Sequence, residues 1–142
     1  MAKQVPFIGR LDELSIIDEV IQSNNSQSVI CISGDGGIGK TRLLQEVGRR
    51  YSGDTKNLLV AAEIIDFDDN AMQSIGNFSR KISGILGDSN FEPYLQSIED
   101  WRKMEAANIS AERLQKESQN IDTVFVECFN TLSAQQRVVL RL

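Results

Sequence analysis

Residues 34 to 41 constrain this chain more than any other stretch. They read Gly-Asp-Gly-Gly-Ile-Gly-Lys-Thr, which fits the phosphate-binding pattern G-x-x-x-x-G-K-[ST] at every fixed position. The four glycines allow the backbone N–H groups to turn towards one anion, because no Cβ atom stands in the way. The pattern therefore predicts a loop that binds the phosphates of a nucleotide.

Further features of the same stretch fit a triphosphate with its metal ion. Lys40 supplies a positive charge for the β- and γ-phosphates, and the Thr41 hydroxyl is suited to ligate a bridging Mg²⁺. A helix beginning near Gly39 would direct the positive end of its dipole at the same place. The predicted nucleotide-binding residues of this stretch are Gly34, Gly36, Gly37, Ile38, Gly39, Lys40, Thr41 and Arg42, with Thr41 as the metal ligand.

The flanks of the loop have the order that the motif requires. Residues 28–33 form a short apolar run that predicts a strand, and residues 41–51 have the spacing of an amphipathic helix. The predicted apolar face of that helix consists of Leu43, Leu44, Val47 and Tyr51. The opposite, polar face is predicted to carry Arg42, Glu46, Arg49 and Arg50. This order disfavours an accidental match by a glycine-rich turn.

Composition limits the classes of chemistry that remain. The 142 residues suffice for one domain, and the net charge of −5 disfavours a nucleic-acid surface along the whole chain. With no histidine in the sequence, His-based acid–base catalysis and zinc sites of the Cys/His type are excluded. Cys31 and Cys128 are interpreted as buried thiols of a reducing compartment. No signal-peptide or membrane-spanning run is recognised, which favours a cytoplasmic protein.

A second motif precedes the loop. Residues 7–14 read Phe-Ile-Gly-Arg-Leu-Asp-Glu-Leu, and the stripe of Leu11, Leu14, Ile17 and Ile21 predicts a helix. Together with the loop, this stretch resembles the nucleotide-binding core of the STAND ATPases (the NB-ARC type) and of origin-recognition-like AAA+ domains. The matching residues are Phe7, Ile8, Gly9, Arg10 and Glu13.

The resemblance has functional implications. It implies that the backbone of residues 7–10 and the Arg10 side chain help to hold the adenine end of ATP or ADP. No guanine-reading Asn-Lys-x-Asp stretch occurs in the sequence, which favours adenine over guanine. The resemblance also implies a signalling ATPase in which the nucleotide biases a two-state switch. Self-association is possible in the parent protein.

The rest of the chain predicts an α/β fold. We expect a three-layer, P-loop NTPase-like arrangement with helices on both faces of a short, mostly parallel sheet. Its strands are predicted near 27–33, 57–66 and 137–142. Apolar spacing predicts helices over 71–85, 91–101 and 121–132, and the polar residues 102–120 are expected to form a solvated helix or an excursion from the core.

The acidic residues and the end of the sequence leave alternatives open. Asp66 ends an apolar run and could support Mg²⁺. For residues 68–70, helix capping or loop solvation is the plainer account. The resemblance places such an acid after a later strand, just beyond Leu142, so residues 1–142 are expected to be the N-terminal part of a larger domain. The other reading is an edge strand that ends a complete chain.

Two other functions compete with the ATPase interpretation. One is a small P-loop kinase acting on a metabolite, with Asp66 or Asp68 as acid or base. The other is an interaction domain that binds nucleotide without catalysis. Hydrolysis is left open as well, because no residue of the sequence is assigned to orient the attacking water.

Overall fold

The computed structural model describes residues 7–23, 27–52 and 57–142. Its helices and strands, in chain order, are α1 (Leu11–Gln22), α2 (Lys40–Arg50), β1 (Leu58–Ile64), α3 (Ile75–Leu86), α4 (Glu92–Ala106), α5 (Ala111–Gln135) and β2 (Arg137–Arg141). Two short 3₁₀ turns, Asn70–Gln73 and Asp88–Phe91, precede α3 and α4. The chain divides into two compact units, Met1–Ser52 and Gly53–Leu142.

Helix α1 of the first unit has the predicted stripe, with one exception. Leu14, Ile17 and Ile21 are buried, as the spacing of three and four residues requires. Leu11, at the start of the stripe, is 71% exposed. The helix ends where the Ser23 hydroxyl donates a hydrogen bond to the Val20 carbonyl at 2.8 Å.

Helix α2 begins directly after the glycine loop and is joined to α1 by polar contacts. Leu43 and Val47 are buried, as predicted. The Tyr51 hydroxyl donates to a carboxylate oxygen of Asp18 at 2.6 Å, and Arg50 lies 3.3 Å from the other oxygen. Burial, followed by the bond to Asp18, raises the pKa of Tyr51. These contacts connect the end of α2 to the middle of α1.

The prediction of a strand near residues 27–33 is wrong. These residues have no regular secondary structure, and Val29 is 82% exposed. Cys31 is exposed as well, so its predicted burial is also wrong. The physical reason is that a strand is stabilised by its ladder of hydrogen bonds and by side-chain burial, and the described sheet consists of β1 and β2 alone.

In the second unit, the two other predicted strands form a parallel pair. Leu59 pairs with Val138 and Val60 with Val139. The Ile65 N–H extends the ladder by donating to the Arg141 carbonyl at 2.9 Å. The parallel sheet is confirmed, and it has two strands among the described residues instead of the expected three.

The polypeptide between β1 and β2 consists of helices that cover an apolar core. The 102–120 stretch contains the end of α4, a short turn and the first part of α5, so it is mostly helical and exposed but is not a single helix. The Trp101 indole N–H donates to the Leu114 carbonyl at 3.1 Å and so joins the two helices. The buried core consists of Ala61, Ile65, Ile82, Leu86, Phe91, Tyr94, Cys128 and Leu132.

Arg141 lies inside this unit, in the strand β2. Its side chain is 7% exposed, and the guanidinium Nη2 donates to the Ala61 carbonyl at 2.7 Å. Burial lowers the pKa of the guanidinium. A charged residue in a short parallel strand is therefore accommodated by a backbone acceptor of the neighbouring strand segment, which offsets part of the desolvation cost.

Candidate phosphate-binding loop

The glycine loop has the backbone conformation that its sequence predicts. Residues 36–39 form turns and bends, and α2 begins at Lys40. Gly37 has φ 80° and Gly39, which caps the helix, has φ 91°. L-residues with a Cβ atom rarely adopt these angles. The chain can therefore reverse direction and enter α2 within a few residues.

A close contact spans the loop from its first glycine to its isoleucine. A Cβ atom placed on Gly34 would lie 2.2 Å from Cδ1 of Ile38, a distance that no carbon pair tolerates. The Ile38 side chain therefore packs over the backbone of Gly34, and a Cβ atom at position 34 would displace its terminal methyl group. At Gly36, by contrast, a Cβ atom would meet nothing within 4 Å.

The Lys40 side chain folds back over the same loop. Its ammonium group donates to the Gly34 carbonyl at 2.7 Å and to the Asp35 carbonyl at 2.9 Å. These bonds hold the positive charge beside the loop backbone, ahead of the N-terminus of α2. Ammonium charge, free amides and a helix N-terminus are the components that bind phosphate groups in proteins.

Arg10 connects the upstream motif to the loop. Its guanidinium Nη2 donates to the Ile38 carbonyl at 2.5 Å, and Nη1 lies 3.4 Å from a carboxylate oxygen of Glu13. Arg10 itself has φ 56° and precedes α1 as its N-cap residue. This left-handed conformation costs about 1 kcal/mol for a residue with a side chain. Arg10 and Ile38 are 28 residues apart in the sequence, and their hydrogen bond joins the two motifs.

Phe7, Ile8 and Gly9 directly precede Arg10 in the upstream motif. Gly9 has φ 87°, so two consecutive residues adopt a positive φ ahead of α1. Ile8 is 85% exposed, whereas Phe7 is half-buried. The resemblance implies that the backbone of this motif contacts the adenine, and this assignment stays a prediction.

Two expected ligand-binding residues follow Lys40 on the first turn of α2. Thr41 and Arg42 are exposed. A hydroxyl oxygen is a suitable Mg²⁺ ligand when phosphate oxygens and water complete the octahedron, so the donor chemistry of Thr41 fits the expected metal. Within residues 7–23, 27–52 and 57–142, no group of three or more Cys, Asp or Glu side chains could hold a metal ion without such help.

Glu46 was assigned to the polar face of α2, and the structure corrects this. The side chain is only 7% exposed, and its carboxylate accepts two hydrogen bonds from Arg49, at 2.7 and 2.6 Å, and one from Arg50 at 3.2 Å. The bonds from Arg49, followed by those from Arg50, lower the pKa of Glu46 to about 2. The sequence carries a signal for this cluster, since acid and base stand three and four residues apart.

The acidic residues after β1 make local hydrogen bonds. Asp66 accepts from the backbone N–H of Asp68 at 2.9 Å, and Asp69 accepts from the backbone N–H of Ala71 at 2.9 Å. The second bond caps the 3₁₀ turn Asn70–Gln73. The plainer interpretation of this acidic stretch, capping and loop solvation, accounts for both contacts.

Comparison with known families decides the identity of this chain at the level of the family. The family model described as AAA ATPase domain matches residues 6–142. The chain belongs to the AAA ATPase domain family. Comparison with curated proteins and with solved structures gave no match.

Membership of the AAA ATPase family defines the coarse function. The chain is of the P-loop ATPase type, and nucleotide binding, typically with Mg²⁺, is the function that this membership indicates. The match begins next to the Phe7-to-Arg10 motif and includes the whole glycine loop. No helix in the described part of this AAA ATPase chain is both long and apolar enough to cross a bilayer.

Proposed function

We propose that this chain binds ATP or ADP through residues 34–41, as the N-terminal part of a STAND-type regulatory ATPase. The observation that carries the proposal is the position of the Lys40 ammonium group, 2.7 Å from the Gly34 carbonyl at the start of the loop. A cation held there lies beside the turn that opens α2 and can neutralise phosphate oxygens bound to the loop amides.

Each part of the loop has a separate task in this proposal. The positive φ of Gly37 and Gly39 lets the backbone present its N–H groups, and Lys40 supplies charge to the β- and γ-phosphates. When bound, Mg²⁺ would reduce the repulsion between phosphate oxygens, with Thr41 as its protein ligand. Ile8 and the backbone around it would contact the adenine.

The regulatory role rests on resemblance to the STAND and origin-recognition-like ATPases. In such a protein, the nucleotide shifts an equilibrium between two conformations, and it can do so only to the extent that its affinity for them differs. The contributions of the described residues to this role are binding and orientation of the nucleotide. Residues 1–142 would then form the N-terminal part of the nucleotide-binding domain.

Replacing the lysine tests the binding proposal. In a calorimetric titration with ATP·Mg²⁺, we expect Lys40→Ala to bind at least about tenfold more weakly, since a charge-assisted contact worth about 1.4 kcal/mol changes affinity tenfold. Lys103→Ala is the matched control, because Lys103 lies on α4 with a side chain 64% exposed. It should bind like the unchanged chain. Equal affinities for the unchanged chain and Lys40→Ala would reject the loop as the binding site.

A further inference from the structure

The hydrogen bond between Arg10 and Ile38 bears on how the loop amides are aimed. Arg10 Nη2 lies 2.5 Å from the Ile38 carbonyl oxygen. A trans peptide unit is planar, and its C=O and N–H point in opposite directions. Fixing the Ile38 carbonyl towards Arg10 therefore fixes the Gly39 N–H in the opposite direction, away from the guanidinium.

The next peptide unit along the chain is fixed by the helix. The Gly39 carbonyl accepts from the Leu43 N–H at 3.0 Å, as the first bond of α2. By the same planarity, the Lys40 N–H points out of the helix N-terminus. Gly39 thus joins two oriented peptide units, one held by α2 and the other by Arg10.

The side chain of Ile38 provides a second restraint on the peptide unit between Ile38 and Gly39. Its Cδ1 packs over Gly34, and Gly34 is also bonded through its carbonyl to Lys40. The backbone of Ile38 is accordingly held at its side chain by the loop and at its carbonyl by Arg10. Without the hydrogen bond from Arg10, the peptide unit between Ile38 and Gly39 could rotate more freely, because glycine has no Cβ atom to restrict its backbone.

We infer that Arg10 is a positioning residue for phosphate binding, which orients the Gly39 amide through the Ile38 carbonyl. The inference rests on the proposed nucleotide-binding function and assigns Arg10 to the phosphate end of the ligand. The left-handed backbone at Arg10 is consistent with this task, since such a conformation persists only where surrounding contacts hold it.

A ligand without a base separates the two roles of Arg10. We would titrate the unchanged chain and Arg10→Gly with ATP·Mg²⁺ and with inorganic tripolyphosphate·Mg²⁺. Glycine accepts the positive φ at position 10, so this variant removes the side chain without adding backbone strain. We expect both ligands to bind about fivefold more weakly, the loss typical of one intramolecular hydrogen bond.

Two further variants control for charge and for the ion pair. Arg10→Lys keeps the charge and one donor, and should bind both ligands more tightly than Arg10→Gly and more weakly than the unchanged chain. Glu13→Gln removes the acid 3.4 Å from Nη1 and should change both affinities by less than about twofold, as for other exposed ion pairs.

A measurement without ligand tests the positioning itself. The ¹⁵N order parameter of the Gly39 amide should fall in Arg10→Gly, whereas that of the Leu43 amide, inside α2, should not change. An unchanged Gly39 order parameter would overturn the inference. So would weaker binding of ATP with unchanged binding of tripolyphosphate, because that result assigns Arg10 to the base. If the unchanged chain bound neither ligand, the proposed function would fail, and the order parameter alone would then decide whether Arg10 fixes the loop.

Discussion

Two apolar runs of this chain have similar sequences and different structures. Residues 28–33, Ser-Val-Ile-Cys-Ile-Ser, and residues 137–141, Arg-Val-Val-Leu-Arg, both predict strands. The second run pairs with β1 in parallel, whereas the first has no regular secondary structure. The run with two charged residues is the strand. Local β propensity is therefore a weaker determinant than the presence of a pairing segment and of a surface to pack on.

The packing of each run explains the difference. Val138 and Leu140 pack against the core cluster of the second unit, and their strand pairs with β1. In the first run, Val29 is 82% and Ile30 39% exposed. Full burial of such a side chain stabilises a fold by about 1.5–3 kcal/mol, and the half-buried apolar side chains of the second run realise part of this gain.

The largest expected effect is on the reactivity of the two cysteines. Cys31 belongs to the first run and is exposed, whereas Cys128 belongs to the core on which the second run packs and is buried. A thiol reagent should modify Cys31 at least about a hundredfold faster, because Cys128 reacts only after an opening that costs about 3 kcal/mol. Mass spectrometry of the native chain with time identifies which cysteine carries the label.

The same labelling can contradict the comparison. Cys31→Ser and Cys128→Ser provide the two single-thiol controls, and denatured samples give the intrinsic rate of each thiol. If Cys31 were protected as strongly as Cys128, residues 28–33 would be covered in solution, and the described difference between the two runs would be wrong.

A smaller effect is expected when the same substitution is made in each run. Valine to threonine keeps the shape and introduces a hydroxyl group, which is costly only where it is buried. Val138→Thr should lower the free energy of unfolding by about 1 kcal/mol. Val29→Thr should change it by no more than about 0.5 kcal/mol.

Each substitution needs a reporter in its own unit. Fluorescence of Trp101, the single tryptophan of the chain, follows the second unit during denaturant unfolding. Amide hydrogen exchange of α1 and α2 follows the first. A cost at Val29 equal to that at Val138 would show that the first run is buried as deeply as the second.

These contrasts show which parts of the fold the sequence determines. Periodicity predicted α1 and α2 because each has an apolar face that is buried. Apolar runs predicted the strands near 57–66 and 137–142, whose apolar side chains are mostly half-buried. The strand prediction failed at residues 28–33 because the pattern of apolar residues describes a single segment, whereas a strand also needs a second segment to pair with. The predicted burial of Leu11 is wrong for a related reason. A residue at the end of a helix can match the apolar spacing without being covered by another segment.

For the candidate site, the loop could be predicted from the sequence, whereas the contacts that hold the loop could not. The glycines, Lys40 and Thr41 follow from a local pattern. The bond from Arg10 to the Ile38 carbonyl joins residues distant in sequence, and its acceptor is a backbone atom, which no side-chain pattern encodes. The resemblance assigned Arg10 to the adenine end of the ligand, and the structure adds a hydrogen bond from its guanidinium to the Ile38 carbonyl.

The smallest expected effect concerns acid, to which the two units should respond differently. In the first unit, the bonds from Arg49 and Arg50 lower the pKa of Glu46 to about 2 from its usual 4.5. A depressed pKa in the folded state means that the carboxylate stabilises the fold above pH 4.5 and that this contribution is lost as the pH falls towards 2. The protection of α2 amides, corrected for the intrinsic exchange rate, should therefore decrease across this range.

The variant Glu46→Gln isolates that contribution. It should reduce the protection of α2 at neutral pH and remove part of its decrease in acid, since glutamine cannot be protonated in this range. Glu63→Gln is the matched control, because Glu63 is 61% exposed and pairs with Lys81 in the second unit; it should leave α2 unchanged. The effect should shrink in high salt, because Arg49 is 64% exposed and its charge is screened. If α2 in Glu46→Gln kept the same dependence on pH as in the unchanged chain, the acid response would originate elsewhere, and the Glu46 cluster would not distinguish the first unit from the second.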